Sequence, residues 1–270
     1  MKPRHTLLLL LAPLVASATP APVFQENFDR LPAGAMVTKA NTALSLVRRT
    51  GQAEHGGSVN AKSPSSFAGG SIVIESSGYG SSPNYVGIGV NKLPTSPVYT
   101  LSFDLRSAAW TRNTAVYVLL GQADNDSEIF HPSGRITVAG YAVPRMAEAS
   151  LVALRLGAGG KNARIESVRA GEGARFTPLG RPTPLLVNDR KHHLRIVANG
   201  SPEAIAVGRD QLPPRKAFVY LDGKRVATVD TAGADAANAV RIFAQGLSAD
   251  RSQVSVEIDN LTLHAAAVAP

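Results

Sequence analysis

The chain has 270 residues, of which 44% are hydrophobic, and it carries a formal net charge of +8 at pH 7. It contains no cysteine, which excludes disulfides, thiolate metal sites and a lipid-modified N-terminal cysteine. A chain of this length can bury enough apolar surface to fold without cross-links, and all-β folds of this size often form one domain.

The first residues are typical of a cleaved secretory signal, which we place at 1–18. Lys2 and Arg4 precede an apolar run from Leu7 to Val15, and small residues follow it up to Ala18. No later stretch reaches the roughly 20 apolar residues that a membrane helix needs. The pattern predicts a protein without a membrane span that is exported to the periplasm, the medium or the cell surface.

From Val23 onward, short β-type segments alternate with Gly, Pro, Ser, Asn and Asp. In chain order, we predict strands in VFQENFD, GSIVIES, NYVGIGVNKL, VYTLSFDLRS, TAVYVLLGQ, GRITVAG, SLVALRLG, NARIESVRAG, HHLRIVANG, AFVYLDGKRVATVD, AVRIFAQG and SVEIDNLTLH. The composition of Met146 to Leu156 would also allow a helix, but the turn sequence GAGGK after it favours a strand.

This series of short strands predicts an all-β fold. We expect two antiparallel sheets packed as a β-sandwich of the jelly-roll type, with roughly 12–14 strands. Residues 19–264 are expected to form this single domain, and 265–270 a C-terminal tail.

Two segments carry a resemblance to a known superfamily. LVNDRKHHLRIV and the later AFVYLDGKRVATVD resemble the paired strands of concanavalin A-like and laminin G-like jelly-rolls, in which Trp-His-His precedes a strand ending in Asp-Gly-Lys. Here Lys191 replaces the tryptophan, and Asp222 and Gly223 supply the hairpin turn. FQENFDRLPAG and VEIDNLTLH resemble the terminal strands of bacterial secreted members, which lie side by side in that fold.

The resemblance also implies a metal site. In many related jelly-rolls a carboxylate of the last strand binds a structural calcium ion together with oxygens near the first strand. By that resemblance, Asp259 would be the last-strand ligand, with Glu26 or Asp29 near it. The alternative is that these carboxylates cap turns.

Charged side chains alternate with apolar ones in several predicted strands, so they point away from the core. If these strands share one sheet, Arg106, Arg155 and Arg195 line its solvent face, where arginine suits carboxylate or sulfate groups. The candidate ligand-binding residues are Arg106, Arg155, Arg195, Asp104, Tyr117 and His193. The alternative is that the arginines are outward charges whose stems cover apolar surface.

The adjacent histidines, His192 and His193, are a weak metal motif. Neighbouring side chains on a strand point to opposite faces, so the two rings cannot readily hold one ion. We expect His193 to share the face of Arg195, and His192 to join Leu194 and Ile196 on the apolar side.

These observations favour a secreted, non-catalytic protein that binds a polysaccharide or glycoconjugate, with acidic polymers suited to its basic charge. Nucleic acid is not expected as a partner, because the protein is predicted to act outside the cell. One alternative is a polysaccharide lyase or glycoside hydrolase of the same fold, with His193 or Tyr117 as acid or base. The Glu-x-Asp-x-Glu motif of such hydrolases is broken here by Leu261. The other alternative is a structural or adhesive protein without a small ligand.

Overall fold

The structure, a computed structural model, describes residues 19–38, 41–48, 57–62, 69–77, 84–108, 110, 114–123, 147–158, 162–169, 175–180, 185–246 and 253–270. The predicted signal segment 1–18 and the predicted strand GRITVAG lie outside these residues. Within the described part of the chain, no helix has the length and apolar character needed to span a membrane.

The described residues contain 18 strands, which confirms the predicted all-β class. The number exceeds the expected 12–14 because several strands have only three or four residues. The strands are β1 (Phe24–Glu26), β2 (Ser45–Arg48), β3 (Gly57–Lys62), β4 (Ser71–Ser77), β5 (Asn84–Val90), β6 (Val98–Ser107), β7 (Thr114–Gly121), β8 (Ser150–Ala158), β9 (Asn162–Arg169), β10 (Arg175–Pro178), β11 (Leu185–Val187), β12 (His192–Asn199), β13 (Ile205–Val207), β14 (Asp210–Leu212), β15 (Lys216–Leu221), β16 (Lys224–Asp230), β17 (Ala239–Gly246) and β18 (Gln253–His264).

Two large antiparallel sheets form the sandwich. The first sheet has the order β16-β15-β12-β6-β18-β4-β3, with β1 beside β18, and the second has the order β10-β9-β8-β7-β17-β5-β2, with β11 beside β9. Phe24 of β1 pairs with Leu263 of β18, so the terminal strands lie side by side as predicted. In the segment that could have been a helix, Ala147 and Glu148 are helical, and strand β8 begins at Ser150.

The core lies between the two sheets and follows directly from the alternation of the sequence. In β6, Leu101, Phe103 and Leu105 are each at most 1% exposed and point into the core, and Val116 and Val118 of β7 face them from the second sheet. Burying each such side chain stabilises the fold by about 1.5–3 kcal/mol. The intervening residues point to the outer face of each sheet, by which we mean the face away from this core.

The outer face of the first sheet carries a second, smaller apolar cluster. The hairpin β13–β14 places Val207 and Leu212 against Val197 and Phe218 of the sheet. The side chain of Asn199 holds the hairpin by donating hydrogen bonds to backbone carbonyls, including that of Pro213 at 3.1 Å. This part of the outer face is therefore already covered by the chain itself.

Candidate functional site

The structure divides the predicted ligand-binding residues between the two sheets. On the outer face of the first sheet lie Asp104, Arg106, His193 and Arg195, and on that of the second lie Tyr117 and Arg155. The condition under which the three arginines would line one sheet is therefore not met, because β8 belongs to the second sheet. Alternation determines on which face of a strand each side chain lies, but it does not determine which sheet the strand joins.

Asp104 is bound by three neighbouring side chains. Its carboxylate lies 2.8 Å from Nδ1 of His193, 2.8 Å from Nζ of Lys191 and 2.9 Å from Nδ2 of Asn260. Burial raises the pKa of Asp104, but these hydrogen bonds and the charge of Lys191 outweigh burial and lower the pKa to about 2. The carboxylate is thus ionised and occupied within the fold.

Arg106 also pairs within the chain. Its Nη1 lies 2.9 Å from Oε1 of Glu257, and its Nη2 pairs with Asp189. Lys62 pairs with the same Glu257 carboxylate. The result is a network of alternating charges along the outer face of the first sheet, which is a stabilising arrangement rather than an open cation for a ligand.

Two of the carboxylates predicted to bind calcium cap a turn instead. Oε1 of Glu26 accepts the backbone N–H of Phe28 at 3.1 Å. Oδ1 of Asp29 accepts the backbone N–H of Gly70 at 2.6 Å, which ties the turn after β1 to the start of β4. Both side chains therefore play the capping role that was the alternative prediction.

The third predicted calcium ligand, Asp259, lies beside Asp104 in the register of β18 and β6. Burial raises the pKa of Asp259, and the charge of Asp104 adds to this increase, although the backbone N–H of Asn260 opposes it. No group of three or more His, Asp or Glu residues that could hold a metal occurs in the described ranges. The oxygens of all three carboxylates contact protein donors, and the charge of Asp29 also raises the pKa of Asp259, so these two predicted ligands lie near enough to interact.

The two histidines have separate structural surroundings, as predicted. Nε2 of buried His192 accepts the backbone N–H of Val187 at 3.0 Å, so its Nδ1 carries the proton and donates to Asp222 at 2.9 Å. The other oxygen of Asp222 accepts the backbone N–H of His193 at 2.9 Å. His192 therefore fastens strand β12 to β11 and to the β15–β16 turn.

A row of paired residues crosses the outer face of the second sheet. In register, Phe243 of β17 pairs with Tyr117 of β7, Tyr117 with Arg155 of β8, and Arg155 with Glu166 of β9. The rings of Tyr117 and Phe243 stack with centroids 5.1 Å apart. Burial raises the pKa of Tyr117 to about 12 in spite of the nearby Arg155, so its hydroxyl stays protonated at neutral pH.

Arg155 is held in place from several sides. Its Nη1 lies 2.9 Å from Oε2 of Glu166, and its Cζ lies 4.5 Å from the centroid of the Phe176 ring. A Cβ added to Gly157 would lie 3.0 Å from that Cζ, so the guanidinium extends directly over this glycine. The Arg155 side chain is 24% exposed, and its buried Nε has no hydrogen-bond partner among the residues described.

A second arginine borders the same position. Arg164 of β9 pairs in register with Gly157 and is exposed, so the two arginines flank the glycine on adjacent strands. Glu166 is the single carboxylate on the described strands of this face. We name this group the Arg155 site: it consists of Arg155, Gly157, Arg164, Glu166 and Phe176.

The sequence prediction included Arg155 but missed the rest of this group. The alternation in RIESVR places Arg164 and Glu166 on one face, and the predicted GAGGK turn joins that strand to β8. Together these two signals could have identified the pairing of Arg155 with Glu166. Phe176 had no such signal, since β10 reaches β9 only through the sheet register.

No protein-family model matches the sequence, and no curated protein matches it. Its fold is nevertheless similar to that of the Emp47p carbohydrate recognition domain, at 10% identity over 92% of this chain and 97% of that chain, with a TM-score of 0.51. It is also similar to a structure from work described as "Prominent members of the human gut microbiota express endo-acting O-glycanases to initiate mucin breakdown". That similarity has 10% identity over 91% of this chain and 100% of that chain, with a TM-score of 0.50. Together with the two antiparallel sheets and their paired terminal strands, these similarities show that the chain has the concanavalin A-like jelly-roll fold.

Proposed function

We propose that the protein binds carbohydrate without cleaving it, and that the Arg155 site holds the sugar. The observation that carries the proposal is the fixed guanidinium of Arg155, which Glu166 and the Phe176 ring hold over Gly157 and whose side chain is 24% exposed. A preordered donor loses little entropy when it binds, and the adjacent carboxylate can accept bonds from sugar hydroxyls.

The charge at this site favours an acidic glycan. Two arginines, Arg155 and Arg164, flank Gly157, whereas Glu166 is the one described carboxylate of the face. Guanidinium groups bind carboxylate and sulfate with paired, charge-assisted hydrogen bonds. The net charge of +8, or +6 (8 − 2) once Lys2 and Arg4 are lost with the predicted signal, would further attract an anionic polymer.

The chemistry of the face favours binding over cleavage. A tyrosine base must lose its proton, but burial raises the pKa of Tyr117 to about 12. Hydrolysis of a glycosidic bond usually needs two carboxyl groups across the bond, and Glu166 is alone on the described strands of this face. Glu166 is moreover paired with Arg155.

The ligand class is also suggested by analogy. One solved structure of similar fold is a carbohydrate recognition domain, and another comes from work on O-glycanases. At 10% identity this analogy concerns the fold, so it supports the hypothesis without assigning a ligand. Export through residues 1–18 remains our proposal for how the protein would meet such glycans.

The test compares retention on immobilised acidic polysaccharides, such as alginate, pectin and heparin, with retention on neutral laminarin. Arg155→Gln removes the proposed contact, and Arg215→Gln removes the same charge from the exposed pair with Asp235, which serves as the control. We expect Arg155→Gln to weaken binding about 10-fold or more, the equivalent of one strong charged hydrogen bond, and the control to change it less than about 2-fold.

A second variant separates position from charge. Gly157→Ala keeps both arginines, but its methyl group would lie 3.0 Å from Cζ of Arg155, so the guanidinium must shift by a few tenths of an ångström. We expect it to weaken binding, but less than Arg155→Gln does. Failure to retain any of the polysaccharides, or equal losses in Arg155→Gln and the control, would contradict the proposal. Release of unsaturated or reducing ends would identify an enzyme instead.

A further inference from the structure

The C-terminal residues 265–270 lie across the outer face of the first sheet, and we call them the strap. The hydroxyl of Thr100 donates to the carbonyl of Ala266 at 2.7 Å and accepts the backbone N–H of Val268 at 2.9 Å. Nη1 of Arg195 donates to the carbonyl of Ala269 at 2.6 Å. Two side chains of the sheet therefore fasten the strap by three hydrogen bonds.

Beyond these hydrogen bonds, small apolar side chains hold the strap. Its sequence is AAAVAP, in which Ala265 packs against the main core and Ala267 against the cluster around Val197 and Phe218, so each contact buries little apolar surface. Ordering a backbone segment costs conformational entropy for each residue, which offsets a few hydrogen bonds. The strap is thus a segment that a better partner for the sheet could displace.

Arg195 lacks the partner that its position calls for. The side chain is half-buried, its Nε is buried without a hydrogen-bond acceptor among the described residues, and no carboxylate of those residues pairs with it. Burial lowers the pKa of Arg195, which shows that the surroundings disfavour its charge. Partly buried charges are usually paired with an opposite charge, whereas here one neutral carbonyl fills that place.

We infer that Arg195 forms the centre of a second binding site, which takes an oxyanion such as a sulfate or carboxylate, and that the strap, held by Thr100, competes with this ligand. An oxyanion offers the guanidinium two charge-assisted bonds where Ala269 offers one neutral acceptor. The site lies on the first sheet and the Arg155 site on the second, so either can fail without the other.

The test uses the full chain labelled with ¹⁵N and titrated with inorganic sulfate, with chloride at equal ionic strength as the reference. We expect sulfate to shift the Arg195 Nε–H signal and to speed hydrogen exchange of the Val268 amide, which the strap protects. Arg195→Gln should abolish both effects. An unchanged Val268 exchange rate, or equal sulfate binding by Arg195→Gln, overturns the inference.

Loosening the strap should strengthen anion binding. Thr100→Val keeps the shape of the side chain but removes both strap bonds of the hydroxyl, and Thr228→Val on the exposed face of edge strand β16 is the matched control. We expect sulfate to bind Thr100→Val about 5-fold more tightly than the control, because the competing state is less populated. If Thr100→Val does not fold, the exchange experiment on the unaltered chain decides the question.

A sulfated monosaccharide and its unsulfated parent extend the test to sugars. Competition with the strap by the sulfated sugar as well as by inorganic sulfate supports the inference and shows that the site accepts a sugar-borne anion. Competition by inorganic sulfate alone supports it for free anions. Equal effects of the sulfated sugar and its unsulfated parent contradict it, because an uncharged ligand would then displace the strap equally well.

Discussion

Replacing Asp104 by asparagine tests whether the charge cluster of the first sheet stabilises the fold. The pKa of Asp104 is lowered from 3.8 to about 2 by the contacts with His193, Lys191 and Asn260, against the opposing effect of burial. A carboxyl group whose pKa is lower in the folded protein than in the unfolded chain stabilises the fold at pH values above its unfolded-state pKa. This contribution is lost as the pH falls through its folded-state pKa. The shift corresponds to about 2 kcal/mol, at 1.36 kcal/mol per pKa unit.

The assay is urea unfolding at a series of pH values from 7 to 2. Trp110, the only tryptophan, is 3% exposed in the fold, so its fluorescence reports unfolding. Between pH 5 and pH 2, we expect the free energy of unfolding of the unaltered protein to fall by about 2 kcal/mol more than that of Asp104→Asn. The difference should develop between about pH 4 and pH 2, because both pKa values of Asp104 lie in that range.

Asp259→Asn is the companion variant, and its effect should have the opposite sign. The pKa of Asp259 is raised, chiefly by burial, so its ionisation destabilises the folded state at neutral pH and protonation in acid relieves this cost. We therefore expect Asp259→Asn to raise stability at pH 7. Equal acid sensitivity of the unaltered protein and Asp104→Asn would refute the reasoning, since it would mean that the contacts to Asp104 favour its ionised form no more than water does.

Three further changes test the architecture. His192→Ala deletes the acceptor of the Val187 N–H and the contact with Asp222, and should lower the free energy of unfolding in urea by about 2–4 kcal/mol; an unchanged value would contradict its structural role. Gly89→Ala would place a Cβ 2.5 Å from Nη1 and 2.7 Å from Cδ of buried Arg241, so calorimetry should show a lower Tm, a loss of about 1–3 kcal/mol. EDTA should leave the Tm unchanged, because the three carboxylates predicted to bind calcium contact protein donors. A decrease in Tm that added calcium reverses would show that the protein does bind calcium.

The sequence was sufficient to predict the architecture and the face of most strands. In TLSFDLRS, alternation correctly sends Phe103 into the core and Asp104 to the outer face, because a side-chain period of two is a property of the backbone. The Asp222–Gly223 turn follows from its residue types, and both residues have positive φ. Such features depend on a few neighbouring residues, and the sequence therefore carries them locally.

Sheet membership is not local, so the sequence could not decide whether the three predicted arginines share a sheet. Arg155 and Arg195 show the same local alternation, yet β8 pairs with β7 and β9 in the second sheet, whereas β12 pairs with β6 and β15 in the first. The contacts that decide between the two sheets join residues far apart in the chain, as in the pairing of β17 with β7. The alternation of residues within one strand therefore does not predict which sheet the strand joins.

The charged groups on the outer face of the first sheet contact each other within the fold, whereas those of the Arg155 site would contact a ligand. Added salt should therefore affect the two groups differently. On the first sheet, Asp104 is 6% exposed and has its partners at 2.8–2.9 Å, so ions in solution screen these short, buried contacts only weakly. At the Arg155 site, Arg164 is exposed and Arg155 is partly so, and an incoming glycan must compete with salt for both. Raising the ionic strength from about 0.05 to 0.5 M should therefore weaken retention of acidic polysaccharides while leaving the acid-dependent stability difference between the unaltered protein and Asp104→Asn nearly unchanged. If retention and that difference decreased together, the two faces would have to be regarded as one electrostatic unit.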